Sequence, residues 1–214
     1  CRVEFQEEQR CAASVAGGVL HIQELRRHRV GLTLDLSIGG RQLLDVPMRD
    51  NALRVYLPAR TYRMLRAETR SGEIEVSGGL SFDRAVLRSA SGDVEFRAAV
   101  QIELRIHTAS GDIEVKHSAP ERMQLETASG DVELSGCGAS SVTVRTSSGD
   151  VEFADCDETA LDIRTASGDI DGRFSVPRAV SASSVSGEID VPRSGSGAPC
   201  VLHTASGDID VCVK

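Results

Sequence analysis

Sixteen carboxylates recur at two fixed phases along the 214-residue chain. The first series is Glu73, Asp93, Asp112, Asp131, Asp150, Asp169, Glu188 and Asp208. The second is Glu75, Glu95, Glu114, Glu133, Glu152, Asp171, Asp190 and Asp210. Oxygens repeated this densely could collect a hard cation such as Ca²⁺, which takes about six to eight of them, or dock a basic partner. Asp112, Glu114, Asp131, Glu133, Asp150 and Glu152 are the candidate cation ligands. Hydration, counterions and turn hydrogen bonds explain the same row without a ligand, and a regular row builds no dedicated cage. The expectation is therefore no cofactor, with Ca²⁺ as the alternative.

Two other groupings could carry chemistry. Ser, Asp and the histidines His21, His28, His107, His117 and His203 can be assembled on paper into triads. However, the Ser and Asp recur in every unit, whereas a unique active site should interrupt a repeat. Cys137 and Cys156 lie 19 residues apart at one phase, so stacking would bring their Cα atoms within disulfide range. Side chains stacked in parallel point the same way, so free thiols and a bridge both remain open. Cys200 falls at an inward phase and Cys212 at an outward one.

These residues are placed by a repeat. TRSGEIEV (69–76), SASGDVEF (89–96), TASGDIEV (108–115), TASGDVEL (127–134), TSSGDVEF (146–153), TASGDIDG (165–172), SVSGEIDV (184–191) and TASGDIDV (204–211) are eight copies of one unit, with glycines 19 or 20 residues apart. Before each glycine, apolar or Thr residues alternate, as in Val142, Val144 and Thr146. After it, apolar residues alternate with the acids, as in Val151 and Phe153. Each unit reads as strand, Ser-Gly corner, strand and short polar return. A unit of this size cannot bury its apolar side alone, so neighbours must stack and bury it jointly. The fold class expected is all-β: a single-stranded parallel β-solenoid (β-helix), right-handed by the usual crossover rule, with eight regular coils. At about 4.8 Å per coil the rod would be about 38 Å long. A tight bend explains the corner glycine through positive φ, and Asx- and Ser-type turns explain its neighbours.

Residues 61–214 hold the eight repeats, and 19–214 form the solenoid domain. Within it, 19–60 read as irregular capping coils, because VLHIQEL (19–25), VGLTLDLSI (30–38) and ALRVYLP (52–58) alternate like strands. Residues 1–18 form a less legible N-terminal segment. The last strand ends at VCVK (211–214) without a cap, so the C-terminal coil offers an edge for self-association.

The TASGDIEV-type array, preceded by LRVYLPARTYRML (53–65), resembles a bacterial adhesin-like family of unknown function with β-strand repeats, related to the head domain of autotransporter adhesins. The resemblance covers residues 19–214. It implies a β-solenoid on the envelope side of the cell, tethered by a segment outside this chain.

Composition narrows the function. A formal net charge of -8 repels phosphate backbones, which argues against nucleic acid, and 3% aromatics leave little to stack bases or sugars on. The sixteen strip acids are half of the 32 Asp and Glu, so the rest of the chain, with 24 Lys and Arg, is net positive. No apolar run reaches the roughly 18 residues of a membrane span, so no membrane insertion by this chain is expected. The expected function is a non-catalytic envelope rod, not an enzyme, serving as adhesin-like binding or display/spacer module toward an unknown protein or glycan partner. The alternatives are a scaffold polymerising through its terminal coil and a polysaccharide-acting β-helix enzyme. An extracytoplasmic location is expected, with a cytoplasmic one as the alternative.

Overall fold

The computed structural model describes residues 55–156, 159–192 and 195–214 in full, together with the backbone of residues 2–4, 11–16, 19–25, 30–37 and 54. Each SGD or SGE copy contributes one strand before its glycine and one after it. Among the described residues these strands collect eight to a sheet, three earlier strands bringing the first sheet to eleven, with a separate antiparallel pair of Arg2–Glu4 on Arg54–Tyr56. Coils are numbered 1 to 8 here in chain order, by corner glycines Gly72, Gly92, Gly111, Gly130, Gly149, Gly168, Gly187 and Gly207.

Repeat-to-repeat pairing is parallel and in register: Val132 lies against Val151, Glu133 against Glu152 and Leu134 against Phe153. The expected parallel β-solenoid is therefore the fold. The inward phase fills the space between the sheets. Val142, Val144, Val151, Phe153, Leu161, Ile163 and Ile170 are all buried. The return side closes with small residues, including Ala98, Cys137, Ala139 and Cys156. Where coil 6 has Gly172 at an inward position, the Phe153 ring of coil 5 occupies the space its side chain would need.

Three expectations are corrected. The corner glycines do not have positive φ; that conformation occurs at Gly79, Gly136 and Gly197. The corners need glycine because they stack too closely for any side chain. A Cβ at the corner glycine of coils 2 to 8 would stand 1.8–2.2 Å from the carbonyl oxygen of the glycine beneath.

The described residues 19–25 and 30–37 are also not coils. Val19–Leu25 and Val30–Ser37 are antiparallel strands, joined by Cys11–Ala16, and extend the eleven-stranded sheet from Thr61–Thr69. A half-buried strand shows the same alternation in a meander as in a coil, so the sequence pattern does not separate the two. The parts of the 1–18 and 19–60 segments at residues 1, 5–10, 17–18, 26–29 and 38–53 lie outside the described residues.

The third correction concerns the C-terminal coil, expected to offer an open edge: both its strands are paired on each side. Cys200–Thr204 pairs with Ala160–Arg164 on one side and Val180–Ser184 on the other, and Ile209–Val213 lies between Ile170–Phe174 and Ile189–Asp190. Coil 8 is thus inserted between coils 6 and 7, and coil 7 ends the rod. The apolar content of the coils gives the reason. Coil 8 brings Cys200, Leu202, Ile209 and Val211 to the interior, where each is at most 4% exposed. Coil 7 offers only Val180, Ala182, Ser184, Ile189 and Val191. Placing the more apolar coil inside removes more apolar surface from water.

The insertion makes two connecting segments cross: a Cβ on Gly195 would meet the Arg178 backbone at 2.3–2.6 Å. The buried Arg178 guanidinium sits at this crossing, 4.5 Å from the Phe174 ring centre. It donates to the carbonyls of Cys156, Thr159, Ala198 and Pro199. These four carbonyl acceptors offset the cost of burying the cation.

Gly149→Ala should cost about 2–4 kcal/mol, because backbone must move to admit the methyl. Gly78→Ala, whose Cβ would meet its nearest neighbour at an ordinary 3.6 Å, should change stability by no more than about 1 kcal/mol. Urea unfolding of the two variants measures the contrast.

Candidate functional site

The candidate site is the row of corners and the acidic column beside it. At each corner the residue three before the glycine presents its hydroxyl to the bend. Oxygens of Thr69, Ser89, Thr108, Thr127 and Thr146 accept from the N–H of the glycine in their own coil at 2.8–3.2 Å. The same position donates to the glycine carbonyl of the coil beneath. Thr127 reaches Gly111, Thr146 reaches Gly130, Thr165 reaches Gly149, Thr204 reaches Gly168, and Ser184 reaches Gly207. One buried hydroxyl thereby satisfies a donor in one coil and an acceptor in another, both otherwise costly to leave unpaired.

The acid after the glycine makes a second ladder. Oδ1 of Asp93, Asp112, Asp131, Asp150, Asp169 and Asp208 accepts, at 2.7–2.9 Å, from the backbone N–H at the equivalent position of the next coil. The receiving order runs Asp112, Asp131, Asp150, Asp169, Asp208, Glu188, which again places coil 8 before coil 7. These aspartates therefore bond between coils, where the sequence suggested Asx turns within one bend. Asp suits this role because its short side chain returns an oxygen to main-chain height. The two copies with Glu instead, Glu73 and Glu188, are in the two coils at the ends of the repeat stack.

The second acidic series forms a single column on the outer face of the eight-stranded sheet. Its spatial order is Glu75, Glu95, Glu114, Glu133, Glu152, Asp171, Asp210, Asp190, each directly beside the next. Arg97 pairs with Glu95 and lies 3.8 Å from Glu114. Lys116 pairs with Glu114 and lies 3.5 Å from Glu133. Among the described residues no basic side chain forms an ion pair with the column from Glu152 onward. There Asp171 is held above the usual carboxylate range by partial burial, and then by the negative charges of Asp210, Asp169, Glu152 and Asp150.

The candidate cation ligands therefore divide. Asp112, Asp131 and Asp150 already commit one oxygen to the next coil, while Glu114 and Glu133 share Lys116. Glu152 continues the column toward Asp171. Among the described residues no three His, Cys, Asp or Glu side chains are grouped to hold a metal ion.

Cys137 and Cys156 are buried and not joined in a disulfide. The hydrogen bond from Cys156 holds Cys137 below the usual thiol value, against burial that pushes it up. Cys200 is a core residue whose thiol burial pushes up to about 11, and Cys212 is exposed.

Of the histidines, His107 lies 3.6 Å from Glu126. His203 Nδ1 is 2.7 Å from Ser183 Oγ on the outer face, with Arg164 as its other cross-strand neighbour. A neighbouring cation is the wrong partner for orienting a basic imidazole. His28, Cys1 and the side chains of His21 and Cys11 lie outside the described residues.

Two functional features were missed at the sequence level: the Thr bridge and the intercoil reach of the Asp. The signal was available, since Thr or Ser stands three before every corner glycine. A hydroxyl at that fixed phase suggests a hydrogen bond.

Asp131→Ala should lower stability by about 1 kcal/mol through loss of the bond to the Asp150 N–H, whereas Asp131→Asn keeps an acceptor oxygen and should leave it within about 0.5 kcal/mol. Thermal melts of both variants decide this. Asp171 gives a pH prediction. Its folded carboxyl binds a proton more tightly than the unfolded chain does, so its destabilising effect is full at neutral pH and fades as pH falls through its raised value. Asp171→Asn should melt about 1 °C higher at pH 7, with the gain gone below about pH 4.

No curated protein and no solved structure matches this chain. The Toastrack DUF4097 family, a domain of unknown function, matches residues 17–211. That span takes in all eight corners, the acidic column and two of the three strands that extend the sheet before them, and the chain belongs to the Toastrack DUF4097 family.

Proposed function

We propose that the chain is a non-catalytic, extracytoplasmic rod of the bacterial cell envelope that displays one acidic face to a basic partner, protein or glycan, in an adhesin-like or spacer role. The observation that carries this reading is the eight-carboxylate column, ion-paired with Arg97 and Lys116 near one end and, among the described residues, with no basic side chain from Glu152 to Asp190. The rod holds these charges at a spacing of about 5 Å, each pair repelling by about 1 kcal/mol in water before salt screening. A basic ligand laid along the column relieves that repulsion at several rungs at once, and so gains more than it would from the same acids on flexible chains.

The corner chemistry supports a structural role for the Ser, Thr and Asp of each repeat. The Thr hydroxyls and the Asp Oδ1 atoms are engaged in bonds between coils. The same bonds favour a cofactor-free rod over a calcium-loaded one.

Calorimetry with oligolysine tests the display reading. Binding should weaken as salt rises, and should fall about tenfold in Glu152→Gln/Asp171→Asn/Asp210→Asn. Binding unaffected by these three substitutions would remove the acidic face from the account. Release of shortened chains from an envelope polysaccharide incubated with the protein would make it an enzyme. A melt raised by millimolar Ca²⁺ would make the column a metal site.

A further inference from the structure

The two ends of the rod differ. At one end the eleven-stranded sheet continues through three antiparallel strands beyond coil 1, a projection of about 14 Å, while the eight-stranded sheet stops at Ile74–Val76. At the other end both sheets stop on coil 7, at Val180–Ser184 and Ile189–Asp190. Among the described residues no strand pairs with the outer edge of either.

Coil 7 lacks the finish of a terminal coil. Its inward residues Val180, Ala182 and Val191 are only partly buried and Ile189 is 41% exposed, so the last apolar layer of the interior is open. Val185, at the corner, is 80% exposed. The edge strand is also uncharged. Its outward residues are Ser181 and Ser183, at phases where other coils carry Arg66 and Arg105, or Arg88, Arg145 and Arg164. Soluble proteins normally protect such an edge with charge, proline or a covering segment.

We propose that coil 7 is a self-association surface, on which two copies of this chain meet tail to tail. The two-fold axis runs normal to the sheets. Val180–Ser184 pairs antiparallel with its counterpart, and Ile189–Asp190 with its counterpart. This arrangement closes both sheets at once and lays one half-open apolar layer on the other. Head-to-tail stacking does not, because the projecting strands at the opposite end keep the eight-stranded sheets about three strand spacings apart. The result is a closed dimer rather than a filament, through a coil other than the one the chain terminus suggested. Glu188 and Asp190 of the two copies come together in it. That repulsion is of the kind the rod already bears where Asp210 lies between Asp171 and Asp190, so added salt tightens the dimer.

Sedimentation velocity tests the proposal, with Ser181→Arg/Val185→Arg as the variant. Arginine already occupies both phases in other coils, at Arg66 and Arg70, so the variant should fold with an unchanged melt when dilute. The wild type should be dimeric at about 100 μM, more so at higher salt, and the variant should dissociate at least about tenfold more readily. A wild type that stays monomeric, one that grows beyond a dimer with concentration, or a dimer indifferent to the two arginines would each overturn the proposal. Weakening by salt would do so as well.

Discussion

Close stacking of the corner main chain is the constraint from which the rest of this structure follows. With no side chain at the glycine, each corner rests against the carbonyl of the one beneath, at a distance no Cβ would tolerate. That approach brings the Thr hydroxyl within reach of two coils and the Asp oxygen within reach of the next N–H. The tripeptide and the residue three before the glycine thus form one unit that fixes spacing, register and direction together. In-register corners then place Val on Val inside and Glu on Glu outside.

The acidic column is a consequence of this register. A solenoid with one residue type per phase stacks its charges whether or not the stacking helps folding, and the corner bonds offset the repulsion. Compensation by Arg97 and Lys116 covers part of the column, and the stretch without an ion pair among the described residues runs toward coil 7. That stretch of acids and the open apolar layer therefore lie toward the same end of the described structure, on different faces.

The repeat made much of this legible before any coordinates. Phase alone identified the inward residues from Val142 to Ile170, the outward acids, the core position of Cys200 and the exposed one of Cys212. Other features were hidden for physical reasons. Positive φ and close approach both demand glycine, so residue type could not say which operated. Alternation in Val19–Leu25 and Val30–Ser37 fits antiparallel and coiled strands equally. Coil order is a contest between two coils for an interior place, and chain sequence lists them without ranking them. The ranking was nevertheless written in composition: Ala182, Ser184 and Glu188 in coil 7 against Leu202, Thr204 and Asp208 in coil 8. Arg178 gave no signal, because its burial depends on a crossing that follows from that order.

The most direct test of in-register corner stacking, including its exchanged coil order, is nuclear Overhauser spectroscopy of the Asp208 backbone amide. Stacked corners in the order 6, 8, 7 predict close contacts from Asp208 to the Asp169 corner on one side and to the Glu188 corner on the other. Contacts joining the Asp169 corner directly to the Glu188 corner, or no corner-to-corner contacts at all, would contradict it.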